Sequence, residues 1–185
     1  MTKRLFDLFT GLFALFALAP LLTVLALVVR LDSPGPIFYR QTRVGRHGRP
    51  FGMYKFRSMV VDADSVGGYQ TQKEDRRITR SGRWLRKTSL DELPQLLNVV
   101  LGHMSLVGPR PDVPAQRPLY TDEQWAERVS VRPGITGLAQ ATLRSEARAG
   151  QRLNLDLQYV RTHTIWLDFR ILLMTVRQVL GKGSF

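Results

Sequence analysis

The sequence contains no cysteine among its 185 residues and only three histidines, His47, His103 and His163. Without cysteine there is no disulfide, no cysteine-based zinc site and no thiol nucleophile. The three histidines are too scattered to show the spacing of metal ligands. The usual sequence signs of a zinc or thiol enzyme are therefore missing, and cysteine usage does not indicate the redox compartment.

Acidic residues are also few: 15 Asp and Glu stand against 27 Lys and Arg, which gives a formal net charge of +12. Residues 1 to 30 contribute Lys3, Arg4 and Arg30 against Asp7, or +2, so residues 31 to 185 carry +10. Such an excess suits anionic lipid head groups, phosphorylated substrates or nucleic acid, and charge alone does not choose among them.

One long run, residues 5 to 29, is almost wholly apolar and is broken near its middle by Pro20. About 20 apolar residues are enough to cross a bilayer as a helix. Pro20 removes the backbone donor that would bond the carbonyl of Phe16, so a kink is expected there. Ala17-Leu18-Ala19 resembles a signal-peptide cleavage site, but Pro20 follows directly and the run continues, so we expect the segment to be retained.

Basic residues lie on both sides of this run and favour the cytoplasmic side for both ends. Lys3 and Arg4 precede it, and the basic residues that follow are Arg30, Arg40, Arg43 and Arg46. This arrangement predicts a re-entrant hairpin that dips into one leaflet and returns. A single span with a proline kink is the alternative that stays open.

Local patterns predict a helix-rich chain with one small hairpin. Residues 37–41 and 51–57 have the composition of strands, and the loop between them leaves Lys55 and Arg57 on one face. Residues 62–80 are predicted to form a mobile basic loop, and residues 105–111 and 132–137 to form tight turns. Helical spacing covers 82–100 in two pieces that meet near Pro94, then 121–130 with Thr121 or Asp122 as its cap, 153–159 and 165–180.

The last predicted helix has an apolar face formed by Trp166, Phe169, Leu173, Val176 and Leu180, with Arg170 and Arg177 off it. This pattern is typical of a helix at a membrane interface. A core helix of the domain is the other interpretation.

Asp91 and Glu92 form an acidic pair amid basic residues, with Arg83, Arg86 and Lys87 before them and Arg110 after. Either Asp91 is the N-cap of a helix, or Ser89 is the N-cap and Glu92 closes a capping box; both place the acids at a helix start. A nucleophile or metal ligand surrounded by positive charge is what phosphoryl transfer needs. The plain alternative is a helix cap with surface ion pairs, an exposed strand face at Lys55 and Arg57, and a surface acid at Asp168.

Four segments occur in an order that closely resembles the bacterial sugar transferases, the monotopic phosphoglycosyl transferases that begin lipid-linked glycan synthesis. They are Lys55-Phe56-Arg57-Ser58-Met59, residues 87–99 around Leu90-Asp91-Glu92-Leu93-Pro94-Gln95, Met104-Ser105-Leu106-Val107-Gly108-Pro109-Arg110-Pro111, and Arg132-Pro133-Gly134-Ile135-Thr136-Gly137. The resemblance covers nearly the whole chain. It departs from the family pattern at Ala19, His103 and Arg76, where serine, aspartate and proline are usual.

The resemblance implies a polyprenyl-phosphate phosphoglycosyl-1-phosphate transferase, which moves a phosphosugar from a UDP-sugar to undecaprenyl phosphate and releases UMP. Asp91 would form the covalent intermediate, and Glu92 would help to hold Mg²⁺, with Asp168 as a further metal ligand or an acid of the surrounding network. The substrate-binding residues would be Lys55, Arg57, Arg110 and Arg132. Sugar specificity is expected in residues 62–76 and 140–152.

The predicted fold is a mixed α/β, helix-rich, monotopic membrane protein with a re-entrant, proline-kinked helix, a small β-hairpin and interfacial amphipathic helices. Residues 1–30 would form the membrane helix and residues 31–185 the cytosolic catalytic domain. We expect the protein to lie in the bacterial inner membrane, in contact with membrane lipids and with its active site on the cytoplasmic face. We expect no nucleic acid partner. A homodimer is left open. The rival readings are a membrane-tethered basic binding module and a catalytically silent scaffold.

Overall fold

The computed structural model describes residues 2–63, 75–143 and 149–181. The helices in these ranges are α1 (Thr2–Ala17), α2 (Ala19–Asp32), α3 (Arg80–Lys87), α4 (Gln95–Val100), α5 (Asp122–Arg128), α6 (Leu138–Thr142), α7 (Ala149–Thr162) and α8 (Ile165–Gly181). The strands are β1 (Phe38–Val44), β2 (Pro50–Phe56), β3 (Ser105–Val107) and β4 (Gly134–Thr136). Short 3₁₀ turns occur at Arg46–Gly48, Leu90–Glu92 and Pro114–Leu119. The predicted mixed, helix-rich fold is confirmed.

The predicted hairpin is also confirmed, with a longer first strand than the sequence indicated. β1 and β2 are antiparallel, and Tyr39 lies opposite Lys55. Gly48 has a φ of +75° in the connecting loop, a conformation that glycine adopts without steric cost. Lys55 lies near the end of the second strand of this hairpin.

Helices α1 and α2 are bent by 63° at the break between them, which confirms the predicted kink. Pro20 lies in the first turn of α2, where a missing backbone donor is tolerated. The backbone bonds from Leu18 to Ala14 (2.9 Å) and from Leu22 to Leu18 (2.8 Å) continue around the bend. In the described ranges no single helix is long and apolar enough to cross a bilayer, whereas α1 and α2 together are, by length and composition.

The bent pair has an inner face packed on the rest of the molecule and an outer face that is exposed and apolar. Leu25 and Val29 of α2 are buried together with Phe56 and Leu85, and Gly11 of α1 lies against Val99 of α4. The exposed apolar side chains of the pair are Leu5, Phe9, Leu12, Phe13, Phe16, Leu21, Val24, Leu27, Val28 and Leu31. The division of the chain at residue 30 stays a prediction.

The main core lies between β2, α4, β3 and the C-terminal helices. Its buried members include Met53, Val99, Met104, Tyr159 and Ile171. Each such side chain contributes about 1.5–3 kcal/mol through removal of apolar surface from water. This core holds the hairpin, the helix after the acidic pair and the C-terminal helices in one packed unit.

The tight turns predicted at 105–111 and 132–137 are only part of the observed structure, because β3 and β4 form a parallel pair in which Ser105 lies opposite Gly134. Glycine is needed here: a Cβ on Gly134 would lie 2.1 Å from the backbone nitrogen of Gly108. The sequence interpretation therefore missed a close approach of two backbones.

The Asp91 cap is wrong, and the Ser89 alternative is met only in part: Ser89 takes the N-cap position of a 3₁₀ turn that contains the acidic pair, but no capping box forms. Asp91 and Glu92 lie in the 3₁₀ turn before α4, and Pro94 takes the N-cap position of α4 with no side-chain cap. Ser89 has a φ of +56° and makes no cap bond. At α5, by contrast, the Thr121 cap is confirmed, since its hydroxyl accepts from the Gln124 N–H at 3.3 Å.

The C-terminal helices α7 and α8 are confirmed, and α8 has two distinct faces. Trp166, Phe169 and Leu173 are exposed, with 84% of Trp166 accessible, whereas Asp168 and Ile171 are fully buried. Of the predicted basic loop 62–80, residues 64–74 lie outside the described residues. The same holds for residues 144–148 of the predicted specificity segment 140–152.

Candidate active site

The acidic pair lies in a tight turn that directs its two side chains to different surroundings. After α3, Ser89 reverses the chain, and the Glu92 N–H donates to the Ser89 carbonyl at 3.2 Å. Asp91 is buried, with 6% of its surface exposed. Glu92 is half-buried and faces the hairpin and the loop that follows β3.

Glu92 is held by two cations from separate parts of the chain. Its Oε1 accepts from Lys55 Nζ at 2.7 Å and from Arg110 Nη2 at 2.6 Å. Burial by itself raises the pKa of Glu92, but the charges of Arg110 and Lys55 outweigh it and hold that pKa well below its usual range. Glu92 is therefore ionised at every physiological pH.

Asp91 is in the opposite situation. Its carboxylate accepts no hydrogen bond from any residue that the structure describes. Burial raises the pKa of Asp91; the charge of Lys55 opposes this, and that of Glu92 adds to it. Arg86 and Arg110 also lie near enough to lower the pKa. The ionised carboxylate is thus poorly solvated and lies in a positive field, which suits a nucleophile toward phosphorus.

The charge of Glu92 in turn affects the pKa of both Lys55 and Arg110. Burial lowers the pKa of the Lys55 ammonium, and Glu92 opposes this shift. The charge of Glu92 raises the pKa of the Arg110 guanidinium. The two predicted phosphate-binding cations thus meet at the carboxylate next to Asp91, so that the structure brings together Lys55, Asp91, Glu92 and Arg110.

The structure places Arg57 and Arg132 elsewhere. Arg57 is buried, and its Nη2 donates to the backbone carbonyl of Ser33 at 2.6 Å, just after α2. Arg132 donates from Nε to the carbonyl of Gly102 at 2.8 Å. Within the described ranges, neither guanidinium contacts the acidic pair. Their substrate-binding roles stay predictions, and the exposed-strand alternative is wrong for both Lys55 and Arg57.

Asp168 is fully buried, so its interpretation as a surface acid is wrong. It forms an ion pair with Lys3 at 2.7 Å and accepts a hydrogen bond from the Tyr159 hydroxyl at 2.7 Å. The same hydroxyl lies 2.9 Å from the carbonyl of Val107. No hydrogen bond or ion pair of the described chain joins Asp168 to Glu92. Asp168 as a metal ligand stays a prediction, and these contacts give it a separate task in fixing the start of α1.

In the described part of the chain, no three acidic or histidine side chains converge as a metal cage. Mg²⁺, however, is often bound by one or two carboxylates together with substrate phosphates. Asp91 and Glu92 provide adjacent carboxylates, and Glu92 Oε2 has only a long contact, 3.4 Å, with Arg110. The residues present therefore fit Mg²⁺ that arrives with a diphosphate substrate.

The sequence interpretation missed two arginines and one asparagine around this cluster. Arg43 lies near Arg110 and Glu92, and the Asn98 side chain bonds to β2. Arg128 bonds to the backbone of Arg110. In the sequence, Arg86 is one of several basic residues before the pair. Helical spacing could have indicated Arg86, but nothing local to Arg43, Asn98 or Arg128 indicates a role at the site.

The sequence model of the bacterial sugar transferase family matches residues 1–182. The chain belongs to this family. An exopolysaccharide production protein, PSS, of Rhizobium leguminosarum bv. phaseoli is 48% identical over 193 residues, a match that covers 98% of this chain and 96% of the relative.

Two further members of the family carry names that state a reaction. The undecaprenyl-phosphate glucose phosphotransferase of Komagataeibacter xylinus is 45% identical, and the match covers 100% of this chain and 37% of the relative. The UDP-glucose:undecaprenyl-phosphate glucose-1-phosphate transferase of Caulobacter vibrioides is 43% identical, with coverage of 100% and 72%. The chain thus spans about a third of the first of these sugar transferases and most of the second.

Proposed function

We propose that this sugar transferase moves a phosphosugar from a UDP-sugar to undecaprenyl phosphate and releases UMP, through a covalent intermediate on Asp91. The observation that carries the proposal is the contrast within the acidic pair. Asp91 is buried without a hydrogen-bond donor in the described chain, and its neighbour Glu92 holds Lys55 and Arg110 beside it. The reactions named for the Komagataeibacter and Caulobacter relatives support the choice of substrates.

In the first step, a carboxylate oxygen of Asp91 attacks the phosphorus next to the sugar. A bond forms from Asp91 to that phosphorus, and the bond to the bridging oxygen of the diphosphate breaks. UMP leaves with the electron pair, so that no proton transfer is needed. The raised pKa of Asp91 makes its ionised form more basic, which strengthens this attack.

In the second step, a phosphate oxygen of undecaprenyl phosphate attacks the same phosphorus. The bond to Asp91 breaks, the carboxylate is regenerated, and the product is a lipid diphosphate sugar. One carboxylate serves two substrates in turn, so ping-pong kinetics are expected.

Lys55 and Arg110 are positioned to bind the phosphates of the donor, since both lie at the carboxylate next to the nucleophile. Arg110 is the more accessible of the two, with 47% of its side chain exposed. Glu92, with Asp91 next to it, would hold Mg²⁺. When bound there, the ion offsets the negative charge of the diphosphate.

An apolar cavity of about 120 Å³ adjoins the acidic segment and supports a lipid acceptor. It is lined by Leu15, Leu22, Phe38, Phe56, Pro94 and Leu97. Pro94 follows Glu92 by two residues, and Phe56 follows Lys55, so the cavity adjoins both elements that form the cationic cluster. We assign this cavity to the first isoprene units of the acceptor, whose phosphate then lies near Asp91.

The exposed apolar face of α1 and α2 would lie in the bilayer as a re-entrant hairpin of the inner membrane. The basic residues at both of its ends favour the cytoplasmic face. Trp166 and Phe169 on α8 would rest at the same interface. This placement brings a soluble nucleotide sugar and a membrane-bound phosphate to one carboxylate.

The test is UMP release by detergent-solubilised protein with undecaprenyl phosphate, Mg²⁺ and a panel of UDP-sugars. The native chain is compared with Asp91→Asn, and with Asp122→Asn as a control on an exposed acid. Release by the native and control proteins, but not by Asp91→Asn, is expected. It would also identify the donor sugar.

Equal release by native protein and Asp91→Asn would remove Asp91 as the nucleophile. Absence of release from every protein across the panel would favour the scaffold or the binding module. The binding module further predicts salt-sensitive lipid binding without turnover.

A further inference from the structure

The loop that carries Arg110 is held at each of four consecutive backbone carbonyls. The donors come from different parts of the chain, at 2.7 to 2.9 Å: Pro109 accepts from the N–H of Gly134, Arg110 from Nη2 of Arg128, Pro111 from Nη1 of Arg43 and Asp112 from the N–H of Val44. The loop has no regular secondary structure of its own. Its position therefore depends on these contacts.

Arg128, the last residue of α5, makes the most demanding of these contacts. It is 7% exposed and forms ion pairs with Asp112 and with Asp156, the latter at 2.9 Å. Its guanidinium also lies over the ring of Tyr120, 5.4 Å from the centroid. A buried group of this kind adds little net stability, because desolvation offsets the attraction between the charges. Stability alone therefore does not explain why a buried arginine lies at this position.

The fork shape of the guanidinium gives a better reason. Nε and Nη2 bind Asp156, Nη1 binds Asp112, and Nη2 also donates to the Arg110 carbonyl at 2.7 Å. One rigid, planar group thus fixes the loop at Arg110 and at Asp112 relative to α5 and α7. Lysine has the charge but lacks this geometry.

We infer that Arg128 is a positioning residue for Arg110, and that it acts on the reaction only through that side chain. The inference rests on the proposed function, in which Arg110 binds the phosphates of the donor. Lys55, the other cation, is fixed on a strand, whereas Arg110 sits on an irregular loop. A small displacement of a group that binds the reacting phosphate is costly, since a shift of about 1 Å lowers rates by up to about 100-fold.

The experiment measures UMP release by Arg128→Lys in the native chain and in an Arg110→Gln background. In the native chain, kcat/KM for the UDP-sugar is expected to fall by about 10- to 100-fold. In the Arg110→Gln background, the same change is expected to cost less than about 3-fold, because residues that act as one unit are not additive. Equal losses in both backgrounds would overturn the inference.

Arg161→Lys is the matched control. Arg161 forms a bidentate pair with Glu127 across the same two helices, α5 and α7, but it is exposed and does not contact the loop. Its substitution is expected to leave kcat/KM unchanged. A similar loss in this variant would show a general effect of the helix contact and would also overturn the inference.

Two further measurements keep the result interpretable. Hydrogen exchange of the Gly134 and Val44 amides, which donate to the carbonyls of Pro109 and Asp112, is expected to rise in Arg128→Lys and not in Arg161→Lys, whether or not the protein turns over. If Arg128→Lys does not fold, Arg43→Gln, which frees the Pro111 carbonyl, is tested in the same two backgrounds. A native chain without UMP release would contradict the proposed function, whereas turnover with additive losses would contradict only the positioning role.

Discussion

The side chain of Asn98 in α4 accepts a hydrogen bond from the backbone N–H of Tyr54 in β2, at 2.9 Å. Its amide donates in return to the carbonyl of Gly52 at 2.8 Å. Asn98 is fully buried and follows Glu92 by six residues, while Lys55 follows Tyr54 directly. This pair of bonds therefore sets the distance between the strand that carries Lys55 and the segment that carries Glu92.

Asn98→Ala is expected to lower the free energy of unfolding by about 2–4 kcal/mol, because it leaves two partly buried backbone groups without these partners. UMP release is expected to fall as well, since Lys55 loses its fixed position. Chemical denaturation in detergent measures the first effect. Thr162→Ala is the control: its hydroxyl bonds only within α7 and is exposed. A loss for Asn98→Ala no larger than for this control would contradict the bridging role.

Asp91→Asn is expected to stabilise the fold at neutral pH while it removes activity. Burial raises the pKa of Asp91 above its value in the unfolded chain. Below the unfolded-state pKa, both states are protonated, and the carboxyl costs nothing. As the pH rises through the folded-state pKa, Asp91 becomes charged in its buried position, and this lowers the free energy of unfolding of the native protein. The asparagine variant has no such cost.

The melting temperature of the variant, relative to the native protein, should therefore rise between about pH 3 and about pH 7. Asp122→Asn tests the same change at a side chain that is 91% exposed, where folding removes little solvation. A pH-independent difference for Asp91→Asn would count against the buried charge. The same shift predicts that kcat/KM falls on the acidic side at a higher pH than for an ordinary aspartate.

Features set by local sequence were predictable. Pro20 marks the bend because a missing backbone donor and a bulky ring act within one helical turn. Alternation of side chains indicated the hairpin that carries Lys55, and helical spacing indicated α7 and α8. The residue types around Asp91 and Glu92 indicated phosphate chemistry. The family resemblance then pointed to Lys55 and Arg110, which the structure places at Glu92.

Features set by distant parts of the chain were not predictable. The cation paired with the buried Asp168 is Lys3, which lies 165 positions earlier in the sequence, and no local pattern links them. Arg128 at a helix end has the sequence context of a surface arginine, yet it is buried. The strands β3 and β4 have only three residues each, and glycine and proline are frequent in the segments around them. Local patterns therefore indicate turns.

Gly35→Ala is expected to destabilise the contact between α2 and the hairpin. Gly35 has a φ of +119°, and an added Cβ would lie 2.2 Å from Nη1 of Arg57. Left-handed strain costs about 1–2 kcal/mol, and the overlap with a buried side chain adds about 1–3 kcal/mol. Gly48→Ala is the matched control, because its φ is +75° and no atom lies within 4 Å of the added Cβ.

Denaturation of both variants separates strain from overlap, since only Gly35→Ala should lose more than the strain alone. In an Arg57→Ala background, the cost of Gly35→Ala should fall but stay above that of Gly48→Ala, because the added Cβ would still lie 2.7 Å from Cγ2 of Val61. Equal costs for Gly35→Ala and Gly48→Ala in the native chain would show that Arg57 does not fill the space beside the turn.

The re-entrant hairpin predicts that both ends of the bent helix pair face the cytoplasm. Because the chain has no cysteine, each single substitution creates one labelling site. Thr2→Cys and Leu31→Cys place a thiol at exposed positions near the two ends, and Phe16→Cys places one close to the bend. A membrane-impermeant reagent should label the first two from the cytoplasmic side of vesicles and the third from neither side.

Glu123→Cys, on the exposed surface of α5, reports the orientation of the vesicles. If Thr2→Cys is labelled only from the side opposite to Leu31→Cys, the pair crosses the bilayer, and one of its basic ends must lie on the disfavoured side. In that arrangement the cavity between the bend and Pro94 would not face a single leaflet. The lipid phosphate could then not be delivered to Asp91 along α1 and α2, so this one measurement tests the membrane geometry and the acceptor route together.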